Sequence, residues 1–224
     1  MASKVWTIAA KDLRSELRSK ESINAAVSFA LVMLLIFNFA FDPTAEETHT
    51  LSGGLLWIIF AFAGTLVLNR SFARELPNDC LDALIAAPIP GYQLFLGKAV
   101  ASFILVLGVE LISLPVFGIF YDIDLTAPFW RLLLVMALGT WALTVIGTTF
   151  SALTVNVRLR EIMLPMLIYP ILMPALIAAI TMSGSILDGG TFVGNNLIWL
   201  KLLSGFSVIY TALAVGLIDI VLVG

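Results

Sequence analysis

The chain has 224 residues, of which 60% are Ala, Val, Ile, Leu, Met, Phe, Trp, Tyr or Cys and only 12% are charged, about half the charged share of a soluble domain. A mean hydropathy of +1.05 excludes a soluble fold and predicts an integral membrane protein without a separate soluble domain. The net charge of -3 gives no basic excess that would point to nucleic acid, and a single cysteine, Cys80, with a single histidine, His49, excludes an internal disulfide and a zinc cluster.

Residues 1–21 pass from Lys4, Val5 and Trp6 into a charged stretch, without the apolar core and small-residue cleavage site of a signal peptide. Val5, Ala9, Leu13 and Leu17 recur every four residues beside Trp6, with Lys11, Arg14, Arg18 and Lys20 elsewhere around the helix. This pattern predicts an interfacial helix lying along the cytoplasmic membrane surface; the plainer alternative is a solvated helix. Six apolar spans follow, at 22–41, 51–68, 99–120, 132–153, 162–182 and 202–224. Each can cross a hydrocarbon core of about 30 Å at about 1.5 Å per residue. Stretches such as 29–36 are apolar on every side, whereas an outer-membrane strand alternates. The expected fold is therefore all-α, one transmembrane domain over residues 1–224.

Lys and Arg collect on the cytoplasmic side of short loops. Lys4, Lys11, Arg14, Arg18 and Lys20 precede the first span, Arg70, Arg74 and Lys98 lie between the second and third, and Arg158 and Arg160 between the fourth and fifth. That places 10 of the 12 basic residues on one side. The opposite loops hold Arg131 and Lys201 among Asp42, Glu46, Glu47, Asp122, Asp124 and Asp188. This charge bias predicts that both termini are cytoplasmic, and an even number of crossings requires that they share a side.

The stretch 69–98 is longer than a link between antiparallel helices needs, so it is expected to hold structure of its own. After Pro77, Asp79 suits an N-cap, and Pro88 suits a stop. The short helix between them carries Leu81, Leu84 and Ile85 on one face, with Asp79 and Asp82 able to meet a partner's Arg or Lys. Such a peg fits a groove on a soluble protein; the alternative is a helix resting on lipid. A nearby likeness to a phosphate-binding loop fails, because five residues separate Gly91 from Gly97 and Ala99 stands where Ser or Thr would reach magnesium. No nucleotide site is expected in this chain.

Within the third span Glu110 lies roughly 18 Å beyond Lys98 by helical rise, and an ionisable group at that depth marks a functional position by default. The structural alternative is a protonated acid hydrogen-bonded to Thr140, Thr144 or Thr148. Asp219 lies near the headgroups, where a carboxylate costs less. Pro165, Pro170 and Pro174 predict a kinked fifth span at an interface, and Gly139, Gly147, Ser151 and Ala152 predict close helix packing on the fourth.

The runs Leu68-Asn69-Arg70-Ser71-Phe72-Ala73-Arg74-Glu75, Leu81-Asp82-Ala83-Leu84-Ile85-Ala86-Ala87-Pro88 and Leu94-Phe95-Leu96-Gly97-Lys98-Ala99 resemble the signature loop of the CcmB family, the haem exporter protein B of cytochrome c maturation. Val109-Glu110-Leu111 with Pro115, and Arg160-Glu161-Ile162-Met163-Leu164-Pro165 leading to Tyr169, Pro170 and Pro174, resemble it in the same order. The likeness covers nearly the whole chain. It departs at Pro77-Asn78-Asp79-Cys80, where the family carries a glycine-containing acidic turn.

The resemblance implies an ABC-2-type exporter membrane subunit in the bacterial inner membrane, paired with a second copy of itself and with ABC ATPase subunits of the CcmA type that bind ATP and magnesium. It implies association with CcmC-type and CcmD-type subunits and a periplasmic haem chaperone of the CcmE type. The loop helix becomes the coupling helix, with Asp79, Leu81, Asp82, Leu84 and Ile85 as ATPase contacts and Asn69, Arg70, Arg74, Glu75 and Lys98 as the surrounding motif. No catalytic residue and no directly bound cofactor are expected, and haem is the candidate cargo. His49 is a poor axial ligand in an acidic outer loop, and Met163, Met166, Met173 and Met182 more often fill gaps. The chain is thus expected to couple ATP hydrolysis to haem export or to release of the loaded chaperone. Alternatives are an exporter of a lipid, drug or polysaccharide, and a membrane scaffold that transports nothing.

Overall fold

The structure is a computed structural model and describes residues 2–41, 46–75, 89–155, 157 and 159–223, of which 2, 3, 46–50, 74 and 219–223 are described by their backbone. Among the described residues seven α-helices follow in order: α1 Ala2–Ser19, α2 Glu21–Ala40, α3 Glu46–Leu68, α4 Gly91–Phe120, α5 Phe129–Thr154, α6 Arg160–Leu187 and α7 Asn195–Val223, with a 3-10 turn at Ala73–Glu75 after α3. Six of the helices, α2 to α7, are long and apolar enough to cross a membrane. All six begin before their apolar spans do, three of them by five residues or more. Helix α3 starts at Glu46, so His49 is helical; α4 starts at Gly91 rather than Ala99, and α7 at Asn195 rather than Leu202. Hydropathy marks where hydrocarbon begins, and a helix runs on through the polar interface because its hydrogen bonds are internal.

Helices α3 and α5 form the centre, with most of the described side chains in their apolar spans buried, while α2 and α7 are mostly exposed. On α2 the inward stripe is Ser22, Ala26, Ala30 and Leu34, one position per turn, and Leu35, Ile36 and Phe39 are exposed. Small residues permit the central contact, as expected of α5. A Cβ on Gly139 would lie 2.1 Å from Trp57 Cη2, and one on Gly147 would lie 2.4 Å from Leu68 Cδ1, so only glycine admits α3 at this spacing. Hydrogen bonds between helices add orientation: Trp57 Nε1 donates to Ser183 Oγ at 2.9 Å in a buried contact that joins α3 to α6, and Trp141 Nε1 donates to Thr211 Oγ1 at 3.0 Å in a partly buried one that joins α5 to α7. Helix α6 continues through Pro165, Pro170 and Pro174.

Helix α1 differs from the predicted stripe. Ala9 is buried as expected, but Ile8 and Glu16 join it while Trp6 and Leu17 are exposed. The inward face is Ile8, Ala9, Asp12 and Glu16, and it packs on α4. The carboxylate of Glu16 accepts the Ser22 N–H at 2.9 Å and the Ser22 hydroxyl at 3.2 Å, capping the N-terminus of α2. The turn between the two helices passes through Lys20 at φ 55°, a left-handed conformation that costs a non-glycine residue about 1 kcal/mol. The Glu16 cap offsets a comparable amount.

Candidate functional site

The starts of α2, α4 and α6, the end of α3 and the whole of α1 meet at one end of the bundle, and that end holds the described basic residues of the loop motif. A small apolar cluster, including Phe72, Phe95, Ala99, Ala152 and Ile218, supports it from within. The centre of the site is Lys98, whose side chain is completely buried. Its ammonium donates to Glu75 Oε1 at 3.1 Å, Asp12 Oδ2 at 3.2 Å and the Ser71 carbonyl at 3.0 Å. These three acceptors match the three donors of an ammonium. The ring of Phe72 adds a cation-π contact, its centroid 5.0 Å from Nζ.

Lys11 completes a neutral group of four by donating to the same Glu75 Oε1 at 2.7 Å and lying 3.2 Å from Asp12 Oδ1. Burial would raise the Glu75 carboxyl, but Lys98 and Lys11 outweigh it and hold the group below its ordinary range. Burial likewise opposes the charge on Lys11, and Glu75 and Asp12 reverse that effect and raise it. Burying an ammonium costs several kcal/mol, so the net stabilisation is small next to the geometric effect. One side chain ties α1, the turn after α3 and the first turns of α4 into a unit.

Gly97 explains why α1 can reach this position. A Cβ there would lie 2.7 Å from both Cβ and Cγ2 of Ile8, so the glycine of the false phosphate loop provides close approach of α1. Arg70 pairs with Glu21 at 2.5 Å, an exposed contact worth little in stability that links the motif to α2. Asn69 continues α3 through its N–H to the Thr65 carbonyl at 2.9 Å. Arg74 lies in the 3-10 turn.

The candidate coupling residues Asp79, Leu81, Asp82, Leu84 and Ile85 lie outside the described residues. Asp12, Lys11, Glu16 and Gly97 are the partners that sequence reasoning missed. The available signal was that Asp12 and Glu16 share a helix face with Ile8 in an otherwise basic segment.

Glu110 stands apart from this end, 1% exposed and bridged to α5 by Thr140, whose hydroxyl lies 2.7 Å from both carboxyl oxygens. Thr140 is one of the three partners expected from sequence. Thr144 donates instead to the Trp141 carbonyl at 3.0 Å, and Thr148 Oγ1 is buried without a hydrogen-bond partner among the described residues. At the far end of the bundle Arg131 donates to the Gly190 carbonyl.

Residues 3–218 match the family described as CcmB protein. The chain is 33% identical over 168 residues to heme exporter protein B of Rhodobacter capsulatus, covering 75% of this chain and 76% of that one. It is 31% identical over 199 residues to heme exporter protein B of Pseudomonas aeruginosa, covering 88% and 87%. With heme exporter protein B of Escherichia coli it shares 27% over 174 residues, covering 78% and 79%. The motif loop tied through Lys98 and the membrane-spanning helices therefore belong to a multi-pass membrane protein of the CcmB family.

Proposed function

We propose that this chain is the membrane subunit of an ATP-driven ABC-2-type complex in cytochrome c maturation, acting as one transmembrane domain with both termini in the cytoplasm of a bacterium. ATP and magnesium belong to a CcmA-type partner, and the chain itself supplies mechanical coupling and no catalytic group. The observation supporting this reading is the anchoring of the motif loop. Glu75 precedes residues 76–88 and Lys98 follows them, and both bond to each other and to α1. A push on that segment is then delivered to α1 and α4 together. Asp79, Leu81, Asp82, Leu84 and Ile85 are the proposed ATPase contacts.

Of the two outputs, release of a haem-loaded periplasmic chaperone is preferred to haem transport through this chain. Two apolar grooves along the spans enclose about 230 and 180 Å³, below the roughly 300–1,000 Å³ of a small-molecule site, and a larger cleft of about 560 Å³ lies at the basic end, lined by Glu21, Arg70, Arg160 and Glu161 among others rather than by an apolar wall suited to haem. A second copy of the chain and CcmC-type and CcmD-type subunits complete the proposed assembly.

Two experiments test this reading. In cells lacking this protein, the purified chaperone is expected to carry haem by absorbance while c-type cytochromes are missing; an empty chaperone would place the chain upstream, in haem supply. Leu84→Asp is expected to abolish co-purification of the ATPase subunit or its coupled activity. Unchanged co-purification with normal cytochromes would remove the coupling role.

A further inference from the structure

Helix α2 is capped from outside itself. Lys20, at its N-cap position, is left-handed and makes no side-chain cap hydrogen bond, so the first N–H groups of α2 find no acceptor at that position. The acceptor is Glu16, in the last turn of α1. Its Oε1 takes the Ser22 N–H at 2.9 Å and the Ile23 N–H at 3.3 Å, and its Oε2 takes the Ser22 hydroxyl at 3.2 Å. Glu16 and Ser22 are both buried, and the Lys20 N–H closes the turn on the Glu16 carbonyl at 2.6 Å. A Ser or Asp at position 20 would cap α2 whatever the direction of α1. A cap carried by α1 holds only while the two helices keep one angle.

One turn back along the same face, roughly 6 Å by helical rise, Asp12 accepts from Lys98 of α4, and Lys11 beside it donates to Glu75. Helix α1 packs on α4 and touches α2 little beyond their junction. Polar contacts therefore run from the two ends of residues 76–88 into α1, and pass from α1 to α2 at Glu16. We propose that α1 is a stiff lever between the motif loop and the first membrane helix, and that Glu16 is the positioning residue that fixes its angle to α2. This rests on the coupling role proposed above and adds its route: a displacement of residues 76–88 moves α1, and the corner between α1 and α2 carries it into α2 instead of flexing. A carboxylate suits the task, because charge-assisted bonds from N–H groups at a helix start are roughly twice as strong as neutral ones.

Pulsed electron-spin resonance on the complex with its ATPase subunit tests the lever while leaving the corner unaltered. Spin labels are placed at the exposed positions Arg14 of α1, Ser28 of α2 and Leu153 of α5, each through a substitution to Cys in a Cys80→Ser background, since Cys80 is the single cysteine. Between the nucleotide-free and the ATP-trapped complex, the distance from 14 to 28 is expected to stay constant while that from 14 to 153 changes. A changed distance from 14 to 28, or an unchanged one from 14 to 153, would overturn the proposal. In cells, Glu16→Ala and an insertion of two glycines between Ser19 and Lys20 are each expected to lower c-type cytochromes by at least about tenfold, the effect of losing one charge-assisted hydrogen bond. The ATPase subunit should still co-purify, because residues 79–85 are untouched. Glu16→Gln keeps an acceptor for the Ser22 N–H and is expected to restore most of the yield; equal loss with Gln and Ala would assign Glu16 a role other than holding the corner. Normal cytochromes with Glu16→Ala and the insertion, where Leu84→Asp abolishes them, would overturn the lever and leave the coupling role standing. Normal cytochromes with Leu84→Asp as well would remove both. The distance measurement decides whether or not Glu16→Ala accumulates in the membrane.

Discussion

A lysine that is completely buried at the end of a membrane bundle is held by number and direction of acceptors rather than by charge alone. Removing it exposes how the group of four is shared. Lys98→Met is expected to cost about 2–4 kcal/mol, because Asp12 and Glu75 then face each other with only Lys11 between them. The Lys98→Met, Glu75→Gln double variant is expected to lose less than the sum of the single losses by about 1–3 kcal/mol. Thermal unfolding in detergent measures both, and strict additivity would mean that the two residues act separately.

Glu110 makes a different demand, since Thr140 needs a polar partner inside the bundle. Glu110→Gln keeps a donor and an acceptor toward that hydroxyl and is expected to leave cytochrome levels and melting temperature near those of the unaltered protein. Glu110→Leu leaves the hydroxyl unpaired and is expected to destabilise by about 1 kcal/mol. Equal loss with Gln and Leu would mean that the carboxylate charge itself is used.

Among the elements, α1 depends most on a single position. Its inward face is half polar, so apolar burial alone does not hold it, and it rests where Gly97 leaves no side chain in the way. Gly97→Ala is expected to push α1 off α4 and destabilise by about 1–3 kcal/mol. Cleavage by trypsin at Lys4, Lys11 and Arg14 should become faster, and shortening the opposing side chain by Ile8→Ala should restore protection. Unchanged cleavage in Gly97→Ala would mean that α1 is held independently of this contact. The axis of α1 was legible in the spacing of Val5, Ala9 and Leu13, but its rotation was not. Periodicity counts apolar side chains and places polar ones outward, whereas Asp12 and Glu16 point inward, Asp12 to pair with Lys98 and Glu16 to cap the start of α2. The same limitation hid the role of Gly97, whose neighbour Ile8 is distant in sequence.

Across the whole molecule the four-charge group sets a pH range. The stability that Glu75 contributes is complete above its unfolded pKa of about 4.3 and is lost as pH falls through its lower folded value. The contribution of Lys11 is complete below about 10.4 and is lost as pH rises through its higher folded value. A melting-temperature profile of the detergent-solubilised protein is therefore expected to be flat in this respect from about pH 5 to pH 10, with an acid decline that Glu75→Gln reduces. An identical acid limb in that variant would detach Glu75 from the decline.

Membrane class, helical spans and the gathering of basic residues at one end were all determined by the sequence itself, because lipid leaves a backbone no solution but internal hydrogen bonding and makes each span announce itself by unbroken apolarity. The Glu110 to Thr140 bridge was legible for the same reason: a lone acid in hydrocarbon must find a hydroxyl, and few are available. Tertiary structure decided what the polar ends do. Where water is near, a charged side chain has many affordable placements, and only the approach of α1, α3 and α4 to within hydrogen-bonding distance selects Lys98 as their common anchor.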